Sequence, residues 1–165
     1  MSETLYFESS LKDKAARYAE LLPQIASLLG DEKDETACLA NTAAALFECF
    51  HFLWVGFYRV HENQLVLGPF QGPVACTRIN KGKGVCGKTW EDNESIIVPD
   101  VEAFPGHIAC SSHSKSEIVI PIRDAKNEVC AVLDVDSEHL NYFDKRDLDG
   151  LQRICVLLEN HLYSV

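Results

Sequence analysis

No CxxC pair occurs anywhere in this chain, although it carries seven cysteines. That absence removes the usual zinc-module and thioredoxin-type signatures. No apolar run approaches the length of a membrane span. Basic residues are scarce: 15 Lys and Arg stand against 25 Asp and Glu, a formal charge of −10. A surface of that sign repels nucleic acid and anionic membranes, so neither is expected as a partner. Met1 to Ser10 mixes Glu3 and Glu8 with Tyr6 and Phe7, and lacks the basic start and apolar stretch of a secretory signal. A cytoplasmic location is therefore expected, where thiols stay reduced and a full disulfide framework does not form. Repeats, low-complexity segments and Pro/Ser-rich linkers are also missing. What remains is a 165-residue chain, 47% hydrophobic. It reads as one domain, 1–165, able to bury a substantial core without staples.

Helices come first. Ala15, Tyr18, Leu21, Leu22, Ile25 and Leu28 recur at helical spacing within Leu11 to Leu29, closed by Gly30. Pro23 predicts a kink or a break there. Asp34 or Thr36 can cap a second helix with the stripe Cys38, Thr42, Ala45, Leu46, Cys49. Strands are expected over Phe52–Val60 and Gln64–Pro69 around a turn at 61–63, then at Cys76–Ile79, Ser95–Val98, Glu117–Ile122 and Val129–Val135. A short helix is expected over Gly84–Trp90, and a loop or short helix over Phe104–His113. Asp144 caps a last helix with Leu148, Leu151, Ile154, Cys155, Leu158 and Leu162 on one face. Strands this closely spaced pair antiparallel, with helices gathered on one face, which makes an α+β domain.

The cysteines divide by company. Cys38, Cys49 and Cys155 lie on apolar helix stripes and Cys130 inside a strand, the places of small core hydrophobes. Cys76, Cys86 and Cys110 sit among turn and polar residues, with nine residues between the first two and twenty-three between the last two. Nearby cations such as Lys81, Lys83 and Lys88 favour the nucleophilic thiolate. His107 and His113 flank Cys110, either tuning it or standing in solvent. A zinc site from Cys76, Cys86, Cys110 and His107 has spacing unlike known modules.

Strand alternation adds a second clue. Phe52, Trp54, Gly56 and Tyr58 share one face; Leu53, Val55 and Phe57 share the other. Val129, Ala131, Leu133 and Val135 form an apolar face opposite Cys130, Val132, Asp134 and Asp136, and Glu117 shares a face with Val119. Asp134 and Asp136 point the same way. They mark either a strand end reaching water or a pair crowding a pocket, where one carboxyl is forced to keep its proton.

Several segments together resemble the free methionine-(R)-sulfoxide reductases, which are single GAF domains. They are Trp54-Val55-Gly56-Phe57-Tyr58, Gly68-Pro69-Phe70-Gln71-Gly72, Ala75-Cys76-Thr77-Arg78-Ile79, Gly84-Val85-Cys86-Gly87, Phe104-Pro105-Gly106-His107-Ile108-Ala109-Cys110, Ser116-Glu117-Ile118-Val119 and Leu133-Asp134-Val135-Asp136-Ser137. One departure is Ser111, where the family often has an acid. The resemblance implies a six-stranded antiparallel sheet with helices on one face and a ligand pocket on the other. It also implies reduction of free L-methionine (R)-sulfoxide with electrons from thioredoxin, no metal or organic cofactor, and it admits a homodimer.

On that resemblance, Cys110 is the nucleophile that becomes a sulfenic acid, Cys76 the resolving thiol, and Cys86 a relay or alternative. Asp136, assisted by Glu117, protonates the leaving oxygen. Asp134 and Glu117, with Asp136 beside them, hold the substrate ammonium, and Trp54 and Tyr58 pack on its carbons. The competing reading is a GAF module that binds a small ligand or senses redox state; a sensor of that kind normally sits beside an output domain.

Overall fold

The computed structural model describes residues 4–164; Met1 to Glu3, part of the stretch read for a signal, and Val165 lie outside them. The first helix, α1, spans Lys14–Leu29 with Pro23 inside it. It does not break. Pro23 is exposed, and the carbonyl its ring leaves without a donor belongs to Ala19, also exposed, so the lost bond falls on the solvent side of the helix and not in the core. Asp13 caps the helix by accepting from the Ala16 N–H at 3.2 Å. Asp34, not Thr36, caps α2 (Glu35–Phe50), accepting from Ala37 N–H at 2.8 Å.

Six strands follow: β1 (Trp54–His61), β2 (Gln64–Gln71), β3 (Arg78–Asn80), β4 (Ile96–Val98), β5 (Ser116–Arg123) and β6 (Val129–Ser137). They form one antiparallel sheet in the order β3-β2-β1-β6-β5-β4. Between β3 and β4 lies α3 (Gly84–Asp92), and α4 (Lys145–Leu158) closes the chain behind a reciprocal capping box between Asp144 and Asp147.

Both faces of the sheet are covered. Val55, Phe57, Ile118, Ile120, Ile122, Ala131, Leu133 and Val135 form one core with Leu21 of α1, Leu39 and Leu46 of α2, and Leu151 and Ile154 of α4. Trp54, Tyr58, Val119 and Val132 face the other way, toward Val85 and Cys86 of α3. So three helices form one layer, and the short α3 roofs the opposite face.

Two residues depart from simple alternation. Phe52 precedes β1 and stacks on Phe50, centroids 5.2 Å apart, inside the helical-side core rather than beside Trp54. Cys130 is the extra residue of a bulge: Ile122 pairs with Ala131 and Arg123 with Val129. The bulge turns Cys130 toward the helical layer and Val129 toward α3, the reverse of the alternating expectation. The Cys76 strand is also shorter than expected. β3 starts at Arg78, which leaves Cys76 in the loop before it.

Candidate active site

Register places the chemistry. Trp54 on β1 pairs with Asp136 on β6, Asp136 with Glu117 on β5, and Glu117 with Val98 on β4. One row on, Gly56 pairs with Asp134, and Asp134 with Val119. Opposed side chains on one face stand about 5 Å apart, so three carboxyl groups meet on the α3 side of the sheet. Gly56 makes room for the indole of Trp54. A Cβ there would lie 2.7 Å from the Trp54 ring and 2.3 Å from Cβ of Phe70. The buried indole stacks between Phe70, at 5.2 Å, and Tyr58, at 6.0 Å, and its Nε1–H donates to the Pro73 carbonyl at 3.1 Å.

Glu117 and Asp134 are buried, to 6% and 7% exposure, and Asp136 is half-buried. Burial pushes Glu117 up to about 8, with the charge of Asp136 adding to it and a hydrogen bond from Asp134 opposing it. Burial first, then the charge of Glu117, carries Asp134 well above the usual carboxylate range. Asp136 is raised too, by burial and then by Asp134, although Ser114 Oγ donates to its Oδ1 at 2.6 Å. Three carboxyls in one dry site do not all ionise, so the cluster holds protons at neutral pH. His107 stands beside it, Nε2 3.7 Å from Glu117 Oε2. Burial lowers its pKa, so it adds no countercharge.

At the edge of the site Cys76 and Cys110, 34 residues apart, are joined by a disulfide. Both are half-buried. The Tyr58 hydroxyl donates to the Cys76 carbonyl at 2.9 Å and ties the loop before β3 to the sheet. Cys86 is a free, buried thiol in the first turn of α3, its sulfur within 4.8 Å of a carboxylate oxygen of Asp134. Burial, then the charge of Asp134, holds its pKa well above the ordinary thiol value. Cys38, Cys49 and Cys155 are buried in the helical-side core, and Cys130 packs on its margin.

Trp54, Tyr58, Cys86, Cys110, Glu117, Asp134 and Asp136 thus line one cavity, and Cys76 joins it through the disulfide. Gly84 and Val85, at the N-terminus of α3, line it as well, with Ile108 packed over Gly84. The sequence reading missed Ser114, which grips Asp136, and the role of Phe70. The signal for Phe70 was present, since it pairs with Gly56 across the hairpin. His107 turns toward Glu117, while His113 is exposed. No helix among the described residues is long and apolar enough to cross a membrane.

Comparison with known proteins bears on this site. Residues 32–162 match the model of the GAF domain. A GAF domain-containing protein of Dictyostelium discoideum is 57% identical over 97% of this chain and 100% of its own length. The free methionine-R-sulfoxide reductase of Escherichia coli is 42% identical over 91% of each chain. Among solved structures, the free methionine-R-sulfoxide reductase of Neisseria meningitidis, crystallised with its substrate, superposes with a TM-score of 0.93. It is 51% identical, over 97% of this chain and 95% of that one.

Proposed function

The chain belongs to the free methionine-R-sulfoxide reductases of the GAF-domain family, and we propose that it reduces free L-methionine (R)-sulfoxide to methionine. The observation that carries this reading is the Cys76–Cys110 disulfide at the edge of a pocket holding two buried acids, Glu117 and Asp134, and the half-buried Asp136. A redox pair and a proton store are the two things sulfoxide reduction needs.

In the reduced protein, the Cys110 thiolate attacks the sulfoxide sulfur. The oxygen takes a proton from Asp136, assisted by Glu117, as the S–O bond to the substrate breaks. The hydroxyl passes to the Cys110 sulfur as the bond between that sulfur and the substrate sulfur breaks, so methionine leaves and Cys110 is left as a sulfenic acid. The Cys76 thiol attacks that sulfur, water departs, and the disulfide forms. Thioredoxin restores both thiols by exchange, through a mixed disulfide. Over the cycle, one sulfoxide and one dithiol become methionine, water and one disulfide. The half-exposed position of the Cys76–Cys110 bond suits attack by an external thiolate. Cys86 stays a thiol against Asp134 in this scheme, a relay only if the Cys76 bond opens to it.

Specificity for the free amino acid follows from charge. Among the described residues no Lys or Arg forms an ion pair with Glu117, Asp134 or Asp136, although Lys83 lines the same cavity. The substrate ammonium supplies a positive charge and lets Asp134 and Glu117 ionise around it through charge-assisted bonds, while Asp136 keeps its proton for the leaving oxygen. Backbone N–H groups at the N-terminus of α3 suit the substrate carboxylate. A methionine within a polypeptide has neither group. Trp54, with Tyr58 behind it, forms the apolar wall for the side-chain carbons. We take the whole chain, 1–165, as one GAF domain working in the cytoplasm, where a thioredoxin supply keeps its thiols reduced; nothing in the cycle requires a second copy.

Incubation with the sulfoxide, thioredoxin, thioredoxin reductase and NADPH tests the reading. NADPH consumption is expected with the wild type and not with Cys110→Ser. No consumption, or undiminished consumption in the variant, sinks it in favour of a sensing module.

A further inference from the structure

Cys86, Glu117 and Asp134 offer one ligand atom each to the same small volume: the thiol sulfur and two carboxylate oxygens lie within 4.8 Å of one another. All three side chains are buried. Asp134 Oδ1, inside the cavity, has no hydrogen-bond partner among the described residues. A buried carboxylate oxygen without a donor is costly, and it marks where a ligand belongs. Cys86 is also a thiol that exchange between Cys76 and Cys110 leaves unused.

One sulfur and two carboxylates form a donor set for a borderline-soft divalent cation. Magnesium and calcium, which take oxygen ligands, gain nothing from the sulfur. Tetrahedral zinc, with bonds of about 2.0–2.3 Å, spaces its ligands roughly 3.5 Å apart. The three atoms, within 4.8 Å of one another here, have to draw together on binding. His107 Nε2 lies 3.7 Å from Glu117 Oε2 and is not one of the three mutually close ligands.

We propose that this pocket is also a site for a zinc-class divalent cation, ligated by Cys86, Glu117 and Asp134, and that the ion and the substrate exclude each other. The proposal rests on the reading of the cavity as the sulfoxide site, because the ion takes the place assigned to the substrate ammonium. On binding, Cys86 loses its S–H proton to solvent and the carboxylates release theirs. The consequence is inhibition that is competitive with the sulfoxide and reversed by a chelator.

Cobalt(II) is the probe. Added to the oxidised protein, in which Cys76 and Cys110 are tied up, it should give a sulfur-to-cobalt charge-transfer band saturating at one equivalent and yielding to Zn2+. Free methionine, which carries the same ammonium, should suppress the band. Cys86→Ser should abolish it, and Asp134→Asn should weaken binding at least about tenfold, no less than an outer-shell change costs. A missing band, or one that Cys86→Ser leaves intact, overturns the site; a band indifferent to methionine overturns the exclusion. Should Cys86→Ser not fold, Zn2+ must still protect Cys86 of the wild type from alkylation, read by mass spectrometry, and failure to protect overturns the site. Binding is read without turnover, so a protein that binds cobalt here but reduces no sulfoxide counts against the reductase reading alone.

Discussion

The hydroxyl of Tyr58, in the middle of β1, donates to the backbone carbonyl of Cys76 at 2.9 Å. A sheet residue thereby holds the loop that presents one half of the disulfide. Tyr58 is 1% exposed, and burial followed by the charge of Asp134 keeps its hydroxyl protonated, hence a donor. Tyr58→Phe removes that bond and keeps the ring. A net hydrogen bond contributes about 1 kcal/mol, so disulfide formation should slow roughly fivefold. The first equivalent of methionine should still appear at the wild-type rate. Rapid quench for methionine, beside thiol counting for the disulfide, separates the two steps.

Cys76→Ser should release one equivalent of methionine and then stall as the Cys110 sulfenic acid, trapped by a dimedone-type reagent and located by mass spectrometry. Thioredoxin-supported turnover should fall at least about tenfold for want of a disulfide to exchange. Cys86→Ser should still form the Cys76–Cys110 bond. If it is Cys86 that pairs with Cys110 in the oxidised wild type, the assignment of Cys76 is wrong.

Gly56→Ala should destabilise the fold by roughly 1–3 kcal/mol, the usual cost of overpacking. The added Cβ meets the Trp54 ring at 2.7 Å and Phe70 at 2.3 Å. Urea unfolding measures the loss, and a red-shifted Trp54 emission would report displacement of the indole.

The acid cluster makes stability depend on pH with a definite sign. Glu117 has a folded pKa raised from 4.5 to about 8. Between those values the native state holds a proton that the unfolded chain has released. Its contribution is therefore fully present below about 4.5 and is lost as pH rises through about 8. Asp134 and Asp136 are shifted in the same direction. Substrate-free protein should lose stability across that window, and Glu117→Gln should make the slope shallower by about one proton, ~1.4 kcal/mol per pH unit. Urea midpoints from pH 5 to 8 measure it; an unchanged slope in the variant would mean that Glu117 is not the proton holder.

Much of this fold is readable from period and caps. Asp34 and Asp144 mark helix starts, and alternation puts Trp54 with Tyr58 and Asp134 with Asp136. Alternation failed where the backbone stops being a regular strand, at Phe52 before β1 and at Cys130 in the bulge. Pro23 brings no break because its lost bond falls on an exposed face, which the residues alone do not show. Ser114 was invisible since its bond to Asp136 spans 22 residues and depends on a loop path. The Cys76–Cys110 pairing came from the resemblance alone, because local chemistry left all three thiols equal.

The central claim is that this pocket reduces the free (R) sulfoxide with its own two thiols. The direct measurement is a single turnover: reduced, desalted protein, with no other reductant present, mixed with the free (R) epimer, the free (S) epimer or a sulfoxide inside a peptide. The account predicts one methionine per chain from the free (R) epimer only, with loss of the Cys76 and Cys110 thiols in step. Equal release from the (S) epimer or the peptide, or no methionine from the (R) epimer, would contradict it.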